Sequence, residues 1–254
     1  MLAHTADILL PAFLAGLLVL MTHVPLGRLV LDRGIVFIDL AIAQVAGLGV
    51  VVADFLGWEP DGWSVQASAV AAALLAGGLL IWTERRFAAV QEAIIGVIFV
   101  VAASAEIMLL GFNPHGAEHL KDLLVGQILW VSIDQLVPIA IVYAGVLALW
   151  YFGDLSKRRV LFYAAFAVTI TASVQLVGVF LVFASLIVPV LAASAVPRSR
   201  QLAAAYGVGV LGYVTGLLAS ATLDLPTGAA VVCSLALIAA LFAALNAMRK
   251  SPPG

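Results

Sequence analysis

VLFYAAFAVTITASVQLVGVFLVFASLIVPVLAASAVP, residues 160–197, is an apolar run without a single charge. Lys157, Arg158 and Arg159 precede it, and Arg198 and Arg200 follow it. One membrane crossing takes about 20 residues, so the run is too long to cross once. Both ends carry the basic signature of a cytoplasmic loop. The chain must therefore enter the membrane and come back, and Gly178 and Pro189 lie in the returning half.

The surrounding sequence has the same character. Hydrophobic residues make up 64% of the chain and charged residues 10%, against roughly 25% charged in a soluble domain. The composition is that of an all-α, polytopic membrane helix bundle whose surface faces lipid, with no nucleic-acid partner expected. Cys233 is the single cysteine, so no disulfide framework forms within one chain. No cleavable signal peptide is expected, because the N-terminus lacks a basic region and runs directly into a span. The formal net charge of −2 is uninformative; the distribution of the charges is what matters.

Working outward from the long run, spans are expected at about residues 8–26, 34–55, 65–82, 89–110 and 136–151 before it, and 202–222 and 229–248 after it. Lys and Arg cluster at 28–33, 85–86, 157–159, 198–200 and 249–250. These clusters fall on alternate loops when the long run counts as two crossings, which the positive-inside rule places in the cytoplasm. The acidic loop at 57–63, the NPHGAEHLKD loop at 113–122 and the DLPTG turn at 224–228 then face outward. The count is nine spans with the C-terminus cytoplasmic, or eight if residues 178–197 are re-entrant. Every loop is short, so residues 1–254 form one transmembrane domain.

Several residues could carry chemistry. Asp39, Glu92 and Glu106 are carboxylates in or near apolar spans, and Gln44 follows Asp39 by five positions. A charge at membrane depth costs at least about 2.5 kcal/mol, so such residues face a bundle interior or a water-filled path, or lock two helices together. Five positions turn a helix by about 140°, so Asp39 and Gln44 flank a face. His115, Glu118 and His119 form H-x-x-E-H, whose spacing matches the inverted zinc-peptidase motif. It reads as a capped loop, a metal-attracting rim at an outward pore mouth, or the site of a membrane peptidase. Gly212 and Gly216 form GxxxG, with Gly207 and Gly209 on the same span, a packing surface within or between subunits. No G-x-x-x-x-G-K-[ST] loop occurs, so ATP, if used, binds a separate subunit. Intramembrane carboxylates alone equally fit a secondary transporter or channel working without an ATPase.

Taken in order, several stretches resemble one family, the permeases of ABC importers for zinc, manganese or iron. RGIVFIDLAIAQVAGLG (33–49) is similar to its second-helix region and QEAIIGVIFVVAASAE (91–106) to its Glu-Ala-x-x-Gly helix. EHLKDLLVGQILWVS (118–132), VGVFLVFASLIVPVLAA (177–193) and DLPTGAAVV (224–232) resemble three further segments. The resemblance implies a bundle of the type II ABC importer kind in the cytoplasmic (inner) membrane. It implies a homodimer around a central path, two ATPase subunits on the cytoplasmic face and an extracytoplasmic metal-binding protein. No permanently bound cofactor is implied; the divalent metal ion is substrate. Many members carry Asp-x-x-x-His in the second helix. Asp39 matches the acid, but the imidazole position falls on Ala43 or Gln44. An Asp and Gln site is oxygen-type, more suited to manganese or iron than zinc, with His115 and His119 able to supply nitrogen elsewhere. The expected metal residues are Asp39, Gln44, Glu92, Glu106, His115, Glu118 and His119. The resemblance also places ATPase coupling at the cytoplasmic end of 178–194, on Ser185, Pro189, Ala192, Ala193 and Ser194. Pro189 is expected to break or kink a helix, and the small residues at 192–195 to offer a docking surface.

Overall fold

In lipid every backbone polar group must find its partner inside the protein, which leaves an apolar chain the α-helix as its simplest solution. The computed structural model describes residues 2–58, 62–111, 124, 126, 128–153, 155 and 157–250. Among the described residues all regular elements are helical. They are α1 (Leu2–Arg33), α2 (Ile38–Phe55), α3 (Trp63–Arg86), α4 (Gln91–Leu110), α5 (Ile133–Phe152), α6 (Arg159–Val177), α7 (Val179–Ala193), α8 (Gln201–Leu223) and α9 (Thr227–Lys250). Short 3₁₀ turns at Ala88–Val90 and Ile128–Trp130 precede α4 and α5. Eight of the helices are long and apolar enough to cross a membrane; α7 is the shorter exception.

The long run divides into two helices at Gly178. Gly178 separates α6 from α7 with φ 81° and ψ 161°, a conformation that side chains with a Cβ avoid. Gly126 has φ 70°, and a Cβ there would collide with the Val177 carbonyl and the Gly178 nitrogen. Gly126 itself thus lies against the turn. With 15 residues, α7 is about 22 Å long, short of the roughly 30 Å of hydrocarbon. Pro189 lies inside α7, and the helix continues to Ala193, so the proline does not end it. It removes one donor, toward the Ser185 carbonyl.

Two other boundaries move. The first helix continues past Pro25 and carries Arg28 and Arg33 in its last turns. At 32 residues it is about 48 Å long, so its basic end outruns the hydrocarbon. Second, Gly34 adopts φ 67° and residues 34–37 form a turn, so α2 begins only at Ile38.

The helices assemble into two compact units, each drawn from separated stretches of sequence. The first comprises residues 1–32, 125–143 and 176–254. At its heart is α7, with eleven of fifteen residues buried. Ala192 packs with Val208 of α8 and Ala239 of α9 beneath Val188, Ile238 and Phe242, and Ser185 hydrogen-bonds the Tyr213 hydroxyl at 2.8 Å. The glycine stripe of α8 is an internal packing surface. Gly209 meets Leu20 of α1, while Gly212 and Gly216 meet Leu235 and Val231 of α9. The second unit comprises residues 33–124 and 144–175. In it α2 packs against α3 and α4, and Ser68 donates to the Gly49 carbonyl at 2.8 Å. The Arg33 guanidinium lies 4.0 Å from the Phe162 ring centroid.

Candidate functional site

The second unit holds the charged residues that an apolar bundle must account for. Because α2 starts at Ile38, Asp39 stands in its first turn. A helix N-terminus favours a carboxylate, which explains how the residue is tolerated there. It does not explain the lack of partners. Asp39 is 1% exposed, and neither of its oxygens has a hydrogen-bond partner among the described residues.

Glu92 approaches the same end of α2 from the first turn of α4. Its Oε1 accepts the Phe37 N–H at 3.2 Å. Phe37 is the N-cap residue of α2 and caps nothing with its own side chain, so Glu92 caps α2 from a neighbouring helix. Its other oxygen, Oε2, is buried without a partner among the described residues.

Further along, Gln44 and Glu106 join α2 to α4. The Gln44 Nε2 donates to Glu106 Oε2 at 2.7 Å, and both side chains are buried. Glu106 Oε1 has no partner among the described residues. It lies against Gly47, where any Cβ would collide with it. Gln44 and Gly47 are three apart and share a helix face, so one grips the carboxyl group and the other makes room for it.

Four buried carboxylate oxygens on α2 and α4 therefore lack a partner among the described residues: both of Asp39, one of Glu92 and one of Glu106. Buried ionised groups are stable only when paired or bound to a cation, and oxygen donors suit hard divalent ions. Among the described residues no three His, Cys, Asp or Glu side chains gather into a group that could hold a metal ion. The acids are strung along α2 and α4 rather than converging. His115, Glu118 and His119 lie outside the described residues.

The residues expected to couple to an ATPase lie in the first unit. Ser185, Pro189, Ala192 and Ala193 are buried and Ser194 is exposed. The small side chains at 192 and 193 do not present a docking surface, because α7 turns them into packing contacts with its neighbours. What is exposed is Ser194 and the turn from Pro197 to Arg200, where Arg198 pairs with Asp32 at 2.9 Å.

His23 in α1 went unread in the sequence. It is fully buried, with Nδ1 2.9 Å from the Val19 carbonyl. A carbonyl only accepts, so Nδ1 carries the proton and Nε2 presents its lone pair, without a partner among the described residues. The Thr22-His23 polar pair inside an apolar run was the available signal.

Residues 5–155 and 154–246 match the ABC 3 transport family. The chain is 25% identical over 250 residues to the high-affinity zinc uptake system membrane protein ZnuB of Haemophilus influenzae, covering 90% of this chain and 94% of that one. It is 26% identical over 242 residues to an uncharacterized membrane protein of Synechocystis sp., covering 87% and 84%. Among solved structures, the fold is similar to PsaBC from Streptococcus pneumoniae in complex with Fab, with a TM-score of 0.76, 20% identity and 95% of each chain covered. It is also similar to an inward-facing conformation of a putative metal-chelate type ABC transporter, with a TM-score of 0.66, 14% identity and coverage of 94% and 85%.

Proposed function

This chain belongs to the ABC 3 transport family, and we propose that it is the membrane-spanning permease subunit of an ATP-binding-cassette importer that carries zinc, manganese or iron into the cytoplasm. The observation that carries the metal assignment is the set of partnerless buried carboxylate oxygens on Asp39, Glu92 and Glu106. The similarity to a zinc uptake membrane protein supports the same substrate class. Oxygen donors along α2 and α4 replace part of the ion's water shell in succession, with no single tight cage in which it would be trapped. Gln44 acts there mainly by holding Glu106. His115, Glu118 and His119, which follow α4 in the sequence, complete the proposed metal residues.

The sequence has no phosphate-binding loop of the G-x-x-x-x-G-K-[ST] type, so a separate ATPase subunit supplies the energy. The full assembly is a homodimer of this chain with two such ATPases on the cytoplasmic side and a metal-binding protein outside. The alternate basic clusters orient the chain with its C-terminus in the cytoplasm. The ATPase engages the exposed end of α7 at Ser194 and the turn that follows. Ser185, Pro189, Ala192 and Ala193 transmit its movement from inside the unit. Transport then requires that the ion bind the outward and inward states with different affinity.

The test is ATP-dependent uptake of zinc, manganese and iron into vesicles containing the assembled complex. Asp39→Ala should abolish uptake of the transported metal while the complex still assembles. Wild-type uptake by that variant would remove Asp39 from the path, and uptake without any ATPase would overturn the importer assignment.

A further inference from the structure

In the second unit, the end of α3 and the start of α6 enclose an open cavity of about 620 Å³. Arg85, Lys157, Arg158 and Arg159 line it, and Val160, Leu161 and Ala164 form an apolar wall. Arg159 pairs with an acid, its Nε lying 3.5 Å from Glu84 Oε1. Arg85 and Arg158 have no counter-ion among the described residues. Two of the four cations that line the cavity, Arg85 and Arg158, are therefore uncompensated among the described residues.

Two aromatic residues mark the depth of this end of α3. Trp82 and Phe87 are both about half exposed and pack edge to face, with ring centroids 5.9 Å apart. Exposed tryptophan at the end of a spanning helix sits at the level of the lipid headgroups. Val160 is 60% exposed and continues the apolar wall from the basic rim. Topology requires basic residues in this loop, but it does not require residues from two helix ends to line one cavity with an apolar side.

We propose that this cavity binds the phosphate headgroup of an anionic phospholipid of the cytoplasmic leaflet, with the acyl chains along Val160, Leu161 and Ala164. Basic pockets at the cytoplasmic ends of spanning helices have the chemistry for such headgroups. A free phosphate ion would use the arginines and leave the apolar wall idle, whereas a phospholipid uses both. The bound lipid ties the end of α3, through Arg85, to the entry of α6, through Arg158. The leaflet rests on the orientation proposed above.

The experiment is native mass spectrometry of the complete transporter released from nanodiscs of equal phosphatidylglycerol and phosphatidylcholine. Wild type should retain phosphatidylglycerol preferentially, and 10 mM inorganic phosphate should not displace it. Arg85→Gln and Arg158→Gln should each cut that preference about five-fold, and the pair more steeply. Arg86→Gln, one residue away and outside the cavity lining, should leave it unchanged. An equal loss in Arg86→Gln would reduce the effect to general surface charge and overturn the proposal. Displacement by inorganic phosphate would do the same in favour of a free anion. Retention unchanged in Arg85→Gln and Arg158→Gln, with loss of ATPase coupling, would make this a protein-docking surface instead. Should the double variant not assemble, the two single variants still decide. Orientation is read separately: with Cys233→Ser, Arg86→Cys should react with an impermeant maleimide only from the cytoplasmic side. Reaction from outside would fail the orientation and leave the lipid result standing.

Discussion

Replacing Gln44 with Leu removes the one hydrogen bond that Glu106 receives among the described residues. The bond is 2.7 Å long and lies between buried side chains. Hydrogen bonds to charged groups contribute about 1.5–3 kcal/mol, and neutral ones about 0.5–1.5 kcal/mol. Polar contacts inside membrane proteins average about 0.6 kcal/mol and reach about 1.7 kcal/mol, because the unfolded chain in lipid also finds partners. Glu106 lies above that average for a structural reason. Its second oxygen has no donor and is pressed against Gly47, so nothing nearby replaces the lost amide. We expect a coupling energy of about 1–2 kcal/mol in a cycle of Gln44→Leu, Glu106→Leu and the double variant, measured by reversible unfolding of the purified chain in mixed micelles. Gly47→Ala tests the same seat from the other side and should destabilise Glu106-containing protein more than Glu106→Leu protein. Additive effects, with coupling below about 0.3 kcal/mol, would refute the idea that Gln44 and Glu106 form one unit.

Two further predictions test the packing of the first unit. Gly178→Ala forces a Cβ onto a residue at φ 81° and should cost about 1–3 kcal/mol in the same unfolding assay; unchanged stability would mean that α6 and α7 do not join through this turn. Gly216→Ala pushes a Cβ to within 2.5 Å of the Val231 Cα, so α8 must part from α9 at a cost of about 1–3 kcal/mol. The loss should not depend on protein concentration. A variant with unchanged stability and a broken dimer would show instead that the stripe faces a second copy.

Much of the fold was legible because lipid imposes simple rules. Charge-free runs longer than 18 residues and basic clusters on alternate loops needed no tertiary information to be read as a polytopic bundle. The departures have local causes. The expected start of the second span missed by four residues because Gly34 permits a turn that its apolar neighbours do not advertise. Arg28 and Arg33 read as loop residues, yet a helix continues through them once it is long enough to leave the hydrocarbon. The carboxylates were legible as anomalies, since a charge among apolar residues is visible in any window. Their partners were not, because Gln44 and Glu106 are 62 positions apart and meet only when α2 lies on α4.

By itself, the sequence determined that the run at 160–197 is too long for a single crossing and must be divided, since about 20 residues span the hydrocarbon. Only the tertiary structure decided how far the returning helix reaches and what it touches. Positive φ at Gly178 sets where α7 begins, and 15 residues leave it short of the hydrocarbon's thickness. Its small residues looked like a docking surface because small side chains permit close approach to any helix. In the fold they approach α8 and α9 of the same chain, and burial is a property of neighbours that one-dimensional spacing does not contain. The same holds for Asp39. Its charge was written in the sequence, but its lack of a partner depends on where α2 starts and what α4 brings beside it.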